Sequence, residues 1–242
     1  MINDWRSKWS AGTGGTTDAA FPFGWSQLNS NSRAQVWTLG GTTPLNSRDP
    51  ADPLGKWAAH GFQAIRLAED ETLALPNTFQ AVILDTPMAD GSIHSPYKQA
   101  AGSRLARGAL ATAYGTPQPY PTVASIALDS AGKNVKLVLG GGGSGLVIRQ
   151  QFGFEILGSD SQWHTAIIDT KASAGDTVVF GPAPAGAKAV RYLWGTSAAP
   201  CGNTEGPVQI PYNCAVNVNV PALGALSGEF DTLPLGPFIT ML

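Results

Sequence analysis

The sequence predicts an α/β part with a parallel sheet, followed by an all-β sandwich. Helix and strand patterns alternate as far as Gly115, and the strand pattern "TFQAVILDT" contains a continuous apolar run, as in parallel strands covered on both faces. After residue 117 short β-branched and aromatic segments are separated by Gly, Pro, Asp and Ser, which indicates an antiparallel sandwich or barrel. We therefore divide the chain into residues 1–117 and residues 118–242.

The elements of the first part are predicted in chain order. "DWRSKW" has a helix pattern, "FPFGWSQL" a strand pattern, "GKWAAHGFQAIRLAEDETLAL" a helix pattern, and "TFQAVILDT" a second strand pattern. From residue 95 to residue 114 small or apolar residues recur at helical spacing, and Gly115 and Pro117 supply the stop. Such an order of strands and helices is typical of an α/β sheet.

In the second part we expect strands in four segments, namely "SIALDSAGKNVKLVL", "GLVIRQQFGFEIL", "SQWHTAIIDTKASAGDTVVF" and "KAVRYLW". The glycine run "GGGGSG" at residues 140–145 lies between two of them. Because no Lys-Ser/Thr pair follows it, a phosphate-binding loop is not indicated. The run predicts a flexible hairpin loop.

Composition narrows the class of protein. Charged residues make up 13% of the chain and the net charge is −2, so neither a nucleic-acid face nor an acidic membrane surface is expected as a partner. No apolar run approaches the roughly 18 residues of a membrane span, and "MINDWRSKW" lacks the apolar core of a signal peptide. The 29 Gly, 18 Pro and seven Trp are typical of secreted, β-rich, sugar-handling proteins.

Cys201 and Cys214 are the two cysteines of the chain. If they form a disulfide, the short loop that they close stabilises the protein by about 3 kcal/mol, and the compartment is oxidising. The alternative is two free thiols. No His or third Cys lies nearby in the sequence, so we expect no metal site here and no cofactor.

Asp90 and His94 lie in the loop after the second predicted strand. Ligand sites of α/β sheets lie at the carboxyl ends of strands, and an imidazole there can act as a general base. Asp90, or its competitor Asp85 at the strand end, would orient the ring. The alternative is that these side chains cap the following helix. We expect His60 and His164 to be packing or surface residues.

Several motifs in order resemble the sialate O-acetylesterase family, whose members are serine esterases of the SGNH-hydrolase superfamily. They are "DWRSKW", "FPFGWSQL", "PNTF" before a strand ending in Asp, "GSIH", "RLARGALATAYG", "AVRYLWGTSAAPC" and "LPLGPF". The resemblance implies a partial SGNH, flavodoxin-like sheet and hydrolysis of acetyl esters on sugars. By this resemblance His94 is the general base, and Asp90 is the residue expected to orient its ring. A secreted, lysosomal or vacuolar location is also implied.

The sequence departs from that family in the nucleophile region. Neither a Gly-x-Ser-Asn-like elbow nor a Gln-Gly-Glu-x-Asn-like oxyanion motif occurs in residues 1–242. We expect the serine upstream, on an amino-terminal segment or subunit, and expect the chain alone to be nearly inactive. The alternatives are a non-catalytic carbohydrate-binding module, with Trp25, Trp163 or Trp194 stacking on sugars, and an interaction module without chemistry.

Overall fold

The computed structural model describes residues 1–30, 40–45, 47, 49–56, 61–86, 92–195, 214–223 and 232–242. This part of the chain contains three helices and thirteen strands, so the protein is mixed and rich in sheet. None of the described helices has the length and apolar character needed to cross a bilayer.

The first part contains all three helices and two parallel strands. β1 and β3 pair in parallel, with Phe23 opposite Thr78, which confirms the parallel pairing predicted from the apolar strand pattern. The structure adds β2, a strand that the sequence did not indicate. The elements are α1 (Ile2–Gly12), β1 (Phe23–Ser26), β2 (Thr42–Pro44), α2 (Phe62–Thr72), β3 (Thr78–Ala81) and α3 (Lys98–Ala113).

The second part contains ten strands and no helix among its described residues. These strands are β4 (Thr122–Leu128), β5 (Val135–Gly140), β6 (Leu146–Ile148), β7 (Phe154–Leu157), β8 (Gln162–Ile168), β9 (Thr177–Gly181), β10 (Ala189–Tyr192), β11 (Val216–Asn219), β12 (Thr232–Pro234) and β13 (Phe238–Met241).

Two antiparallel sheets result from these strands. The larger has the order β13-β10-β7-β8-β9-β5-β4, with β2 also paired to β8, and the smaller has the order β12-β11-β6. β8 pairs with β7 through residues 163–166 and with β9 only at Ile167 and Ile168, so the larger sheet curls along this strand. The antiparallel character is as predicted. The two-layer sandwich and the division after residue 117 stay predictions, and β2 joins the sheet of the second part.

The glycine run is not a hairpin. β5 pairs with β4 and β9 whereas β6 pairs with β11, so residues 141–145 connect two different sheets. A Cβ atom at Gly141, where φ is +79°, would lie 1.6 Å from the carbonyl oxygen of Tyr120. A Cβ at Gly143 would lie 3.0 Å from Val218. Because the backbone packs this closely, these positions require glycine.

One hydrophobic core joins both sheets and the end of β3. Val82 and Leu84, just after β3, pack with Phe154, Phe180 and other buried residues of the second part. The rings of Phe154 and Phe180 stack with centroids 3.9 Å apart. Burial of this segment fixes the position at which the chain leaves β3. His94 lies further along the chain, just before α3.

Phe79 packs against Gly24 of β1 and Gly108 of α3. The contact with Gly108 predicts opposite effects for two alanine substitutions in α3. A Cβ at Gly108 would lie 2.2 Å from the Phe79 ring, whereas a Cβ at Gly102 meets nothing within 4 Å. We expect Gly108→Ala to destabilise the protein by about 1–3 kcal/mol through overpacking. Gly102→Ala, the matched control, should stabilise it by about 0.5–1 kcal/mol through helix propensity. Urea denaturation measures both, and equal effects would contradict the packing argument.

Candidate active site

Buried polar residues gather at the carboxyl ends of β1 and β3. Gln27 and Asn29 follow β1, and Asp85 and Thr86 follow β3; each of the four side chains is buried. The Asn29 side-chain amide donates to the carbonyl oxygen of Thr86 at 2.9 Å, which joins the two strand ends. In a parallel sheet both strands end at the same edge, so these residues form one polar cluster there.

Arg66 of α2 connects this edge with the second part of the chain. Arg66 is 1% exposed, and its guanidinium donates to three carbonyl oxygens, those of Leu28 (2.8 Å), Asn29 (2.9 Å) and Gly195 (2.6 Å). Burial lowers the pKa of Arg66 to about 10, and the carboxylates of Glu69 and Asp70 oppose that shift. The sequence did not single out Arg66, because an arginine in a helix pattern gives no sign of the distant carbonyls that it meets.

Asp70 is the centre of a partly buried amide network beneath the same edge. The Gln27 and Gln80 side-chain amides both donate to Asp70 Oδ1, and Trp25 Nε1 donates to Gln80 Oε1 at 3.2 Å. Burial raises the pKa of Asp70 to about 6, although both glutamine hydrogen bonds favour the charged form. Burial also raises the pKa of the neighbouring Glu69 carboxyl. Both carboxyls therefore bind protons more tightly than free side chains do.

The raised pKa of Asp70 predicts a pH dependence of stability. Its folded-state value of about 6 exceeds the ordinary 3.8, so the free energy of unfolding should decline as the pH rises through this interval. Asp70→Asn removes the titration and retains an oxygen acceptor for both glutamines. We expect this variant to show a shallower decline and to exceed the wild type in stability at pH 7. The pKa of Glu69 is also raised, so the free energy of unfolding of this variant should still decline somewhat with pH.

Thermal unfolding between pH 4 and 7 tests this expectation. The control is Glu71→Gln, which changes an exposed carboxyl on the same helix. An unchanged pH profile for Asp70→Asn would contradict the assignment of the slope to Asp70.

Asp85 forms a buried ion pair with Arg104 of α3. Arg104 Nη1 lies 2.5 Å from Asp85 Oδ1 and Nη2 lies 2.7 Å from Oδ2, a bidentate pair with both side chains buried. Arg104 Nη1 also donates to the carbonyl oxygen of Val82 at 2.8 Å. Both carboxylate oxygens of Asp85 thus bind an arginine, and no hydrogen bond joins Asp85 to the described His94.

His94 lies in the loop between the end of β3 and the start of α3, and its side chain is exposed. Its backbone N–H donates to Ser92 Oγ at 3.1 Å, and no described residue hydrogen-bonds its ring. The following residue, Ser95, is buried, and its Oγ accepts the Tyr97 N–H at 3.1 Å. Asp90 lies outside the described residues, so its support of His94 stays a prediction.

The other candidate residues lie away from this edge or outside the described chain. His60 and Cys201 belong to the undescribed residues; Cys214 is fully buried, and the disulfide stays a prediction. His164 lies on β8 with Nε2 3.0 Å from Asp160 Oδ2, as a partly exposed surface pair. Across the described ranges, no three His, Cys, Asp or Glu side chains are grouped to hold a metal ion.

Two of the three tryptophans proposed for sugar stacking are buried. Trp163 is 1% exposed and Trp194 is 9% exposed, and both belong to one hydrophobic cluster. A sugar cannot reach either ring face, so this part of the carbohydrate-binding interpretation is wrong. Trp25 is partly buried and bonded to Gln80.

Comparison with known proteins relates this arrangement to sugar esterases. The sialate O-acetylesterases of Mus musculus and Homo sapiens are 36% and 35% identical to this chain over 118 residues, or 48% of its length. The chain is similar to sialate O-acetylesterases. It spans about one fifth of the length of these relatives (19% and 20%). No family model matches the chain.

The fold is similar to that of a solved carbohydrate acetylesterase from Xanthomonas citri. The TM-score is 0.62 at 27% sequence identity, and the match covers 99% of this chain and 45% of that one. The similarity therefore includes both the helical part with His94 and the antiparallel sheets. The sequence resemblance is confirmed at this level, as a likeness to sialate O-acetylesterases over about half of the chain.

Proposed function

We propose that this chain is part of a carbohydrate O-acetylesterase and supplies its general base, His94. The observation that carries the proposal is the exposed imidazole in the loop after a parallel strand. Likeness to sialate O-acetylesterases and to a carbohydrate acetylesterase supports the same chemistry. The expected substrate is an acetylated sugar. Because the chain spans only part of these proteins, the activity belongs to the completed enzyme.

In the proposed reaction a serine hydroxyl attacks the acetyl carbonyl carbon while His94 accepts the hydroxyl proton. The tetrahedral intermediate collapses, and His94 returns the proton to the departing sugar oxygen. Water, deprotonated by His94, then attacks the acetyl-serine carbonyl carbon; the bond to the serine oxygen breaks, this oxygen takes the proton back from His94, and acetate is released. Asp90 is proposed to hold the imidazole in the required tautomer.

The serine is proposed to come from a polypeptide segment outside these 242 residues. No Gly-x-Ser-Asn-like elbow and no Gln-Gly-Glu-x-Asn-like oxyanion motif occurs in the sequence. By this proposal the isolated chain has very low activity, because it lacks both the nucleophile and the oxyanion donors.

An apolar surface beside β1 supports such a partner segment. Among the described strands β1 pairs only with β3, so no described strand pairs with its other edge. Trp5 of α1 is 44% exposed, its ring lies 5.7 Å from that of Phe23, and Ile65 of α2 is 49% exposed. A groove of about 500 Å³ runs between α1 and α2 past Phe23 and Trp25. An added strand would pair with the edge and cover these side chains.

Active-site labelling with a fluorophosphonate tests the proposal. The chain is purified from cells that coexpress a serine-bearing amino-terminal esterase segment, and also alone. We expect the label on a serine of the segment, lost when His94→Gln replaces the wild type, and no label on the isolated chain. A labelled serine within this chain would place the nucleophile here. If the segment is labelled equally when it is coexpressed with the wild-type chain and with His94→Gln, the proposed role of His94 is overturned.

The cellular location follows from the same proposal. A secreted, lysosomal or vacuolar location is proposed from the family resemblance of the sequence motifs, together with the proposed disulfide between Cys201 and Cys214. Mass spectrometry of the non-reduced protein checks the disulfide directly.

A further inference from the structure

The ion pair of Asp85 and Arg104 links the two sides of the segment that carries His94. Asp85 lies where the chain leaves β3, and Arg104 lies on α3, which the chain enters after His94. We infer that Arg104 is a positioning residue for His94, acting through Asp85. This inference rests on the proposed function, because it concerns the base of that reaction.

The geometry of the pair favours a fixed orientation. The planar guanidinium binds both oxygens of Asp85, at 2.5 and 2.7 Å, and the carbonyl oxygen of Val82 at 2.8 Å. A lysine has one ammonium group and cannot reproduce this three-point contact. Arg104 therefore fixes both the distance and the angle between α3 and the end of β3.

Further contacts hold each end of the His94 segment close to the pair. At the first end, Thr86 Oγ1 donates to the carbonyl oxygen of Ile83 at 2.7 Å, and Asn29 donates to the carbonyl oxygen of Thr86. At the other end, Ser95 is 4% exposed and accepts the N–H of Tyr97. His94 thus lies next to the anchored Ser95, and the position of this end relative to the end of β3 depends on Arg104.

Arg107 provides a matched control within the same helix. It is 2% exposed, yet its guanidinium donates to Gln118 Oε1 at 3.2 Å and to the carbonyl oxygen of Pro221 at 2.7 Å. These partners belong to the second part of the chain rather than to the end of β3. A general loss of packing should follow Arg107→Lys as readily as Arg104→Lys, but only Arg104→Lys should disturb His94.

Nuclear magnetic resonance of the histidine rings tests the inference. His94 is assigned by the signal missing from His94→Gln, and His164 on β8 serves as the internal reference. In folded Arg104→Lys we expect the His94 Cε1–H signal to shift or broaden while that of His164 stays in place. Arg107→Lys should leave both signals unchanged. If Arg104→Lys does not fold, Asp85→Asn replaces it.

An unmoved His94 signal in the folded Arg104→Lys variant would overturn the inference, as would an equal displacement in Arg107→Lys. The measurement needs no turnover, so it separates the two proposals. A His94 signal that responds to Arg104→Lys in a protein without His94-dependent hydrolysis contradicts the proposed function alone.

Discussion

His94→Ala is expected to reduce kcat for acetyl ester hydrolysis by the completed enzyme about 10⁶-fold, with little change in KM. Without the imidazole, nothing deprotonates the serine hydroxyl or protonates the departing sugar oxygen. In a serine hydrolase, loss of the histidine costs about as much as loss of the whole triad, because its members act together. The exposed ring of His94 makes few packing contacts, so the variant should remain folded.

Hydrolysis of an O-acetylated sugar, followed by release of acetate, measures this effect. His164→Ala is the matched control, since His164 is partly exposed and paired with Asp160 on β8. It should retain wild-type kcat. A His94→Ala enzyme that loses less than about tenfold would show that His94 is not the general base.

Glu155→Gln is expected to destabilise the protein by about 3–5 kcal/mol, because it leaves Arg191, whose side chain is 14% exposed, without its counter-charge. Glu155 on β7 lies opposite Arg191 on β10 and binds it at 2.6 and 2.7 Å. Arg191 also donates to Thr43 Oγ1 of β2 at 2.6 Å and lies 4.5 Å from the Trp163 ring. The cluster therefore attaches β2 to the larger sheet.

Urea denaturation of single and double variants measures the coupling. The double variant Glu155→Leu with Arg191→Met replaces both charges by apolar groups, and we expect it to regain most of the lost stability. Asp4→Ala is the control, because the pair of Asp4 and Lys8 is exposed and should contribute little. A double variant no more stable than Glu155→Gln would contradict the unpaired charge as the cause.

Local patterns predicted the elements that position the candidate site. The segments "FPFGWSQL" and "TFQAVILDT" contain β1 and β3, and helical spacing of small residues predicted α3. Such patterns report which faces are buried, because the geometry of a helix or strand dictates the spacing at which its buried residues recur. His94 was chosen as the candidate base for the same reason, since it follows a predicted strand that ends at a sheet edge.

Contacts between distant residues were not predicted. β2 was missed because its few residues acquire strand geometry by pairing with β8. The glycine run was assigned to a hairpin, but the packing of Gly141 against Tyr120 belongs to a connection between sheets. Trp163 was proposed to stack on a sugar, whereas packing with Leu157, Trp194 and other residues of one cluster buries it.

The sequence by itself determined the parallel strand pair, the helix after it, the antiparallel strands and the histidine in the loop between β3 and α3. These features depend on residue types and spacing over short stretches of chain. Only the tertiary structure decided that Asp85 binds Arg104, that Arg66 joins Leu28, Asn29 and Gly195, and that Asp70 is desolvated. Charged partners far apart in sequence are selected by three-dimensional packing and burial, and neither is encoded in local spacing.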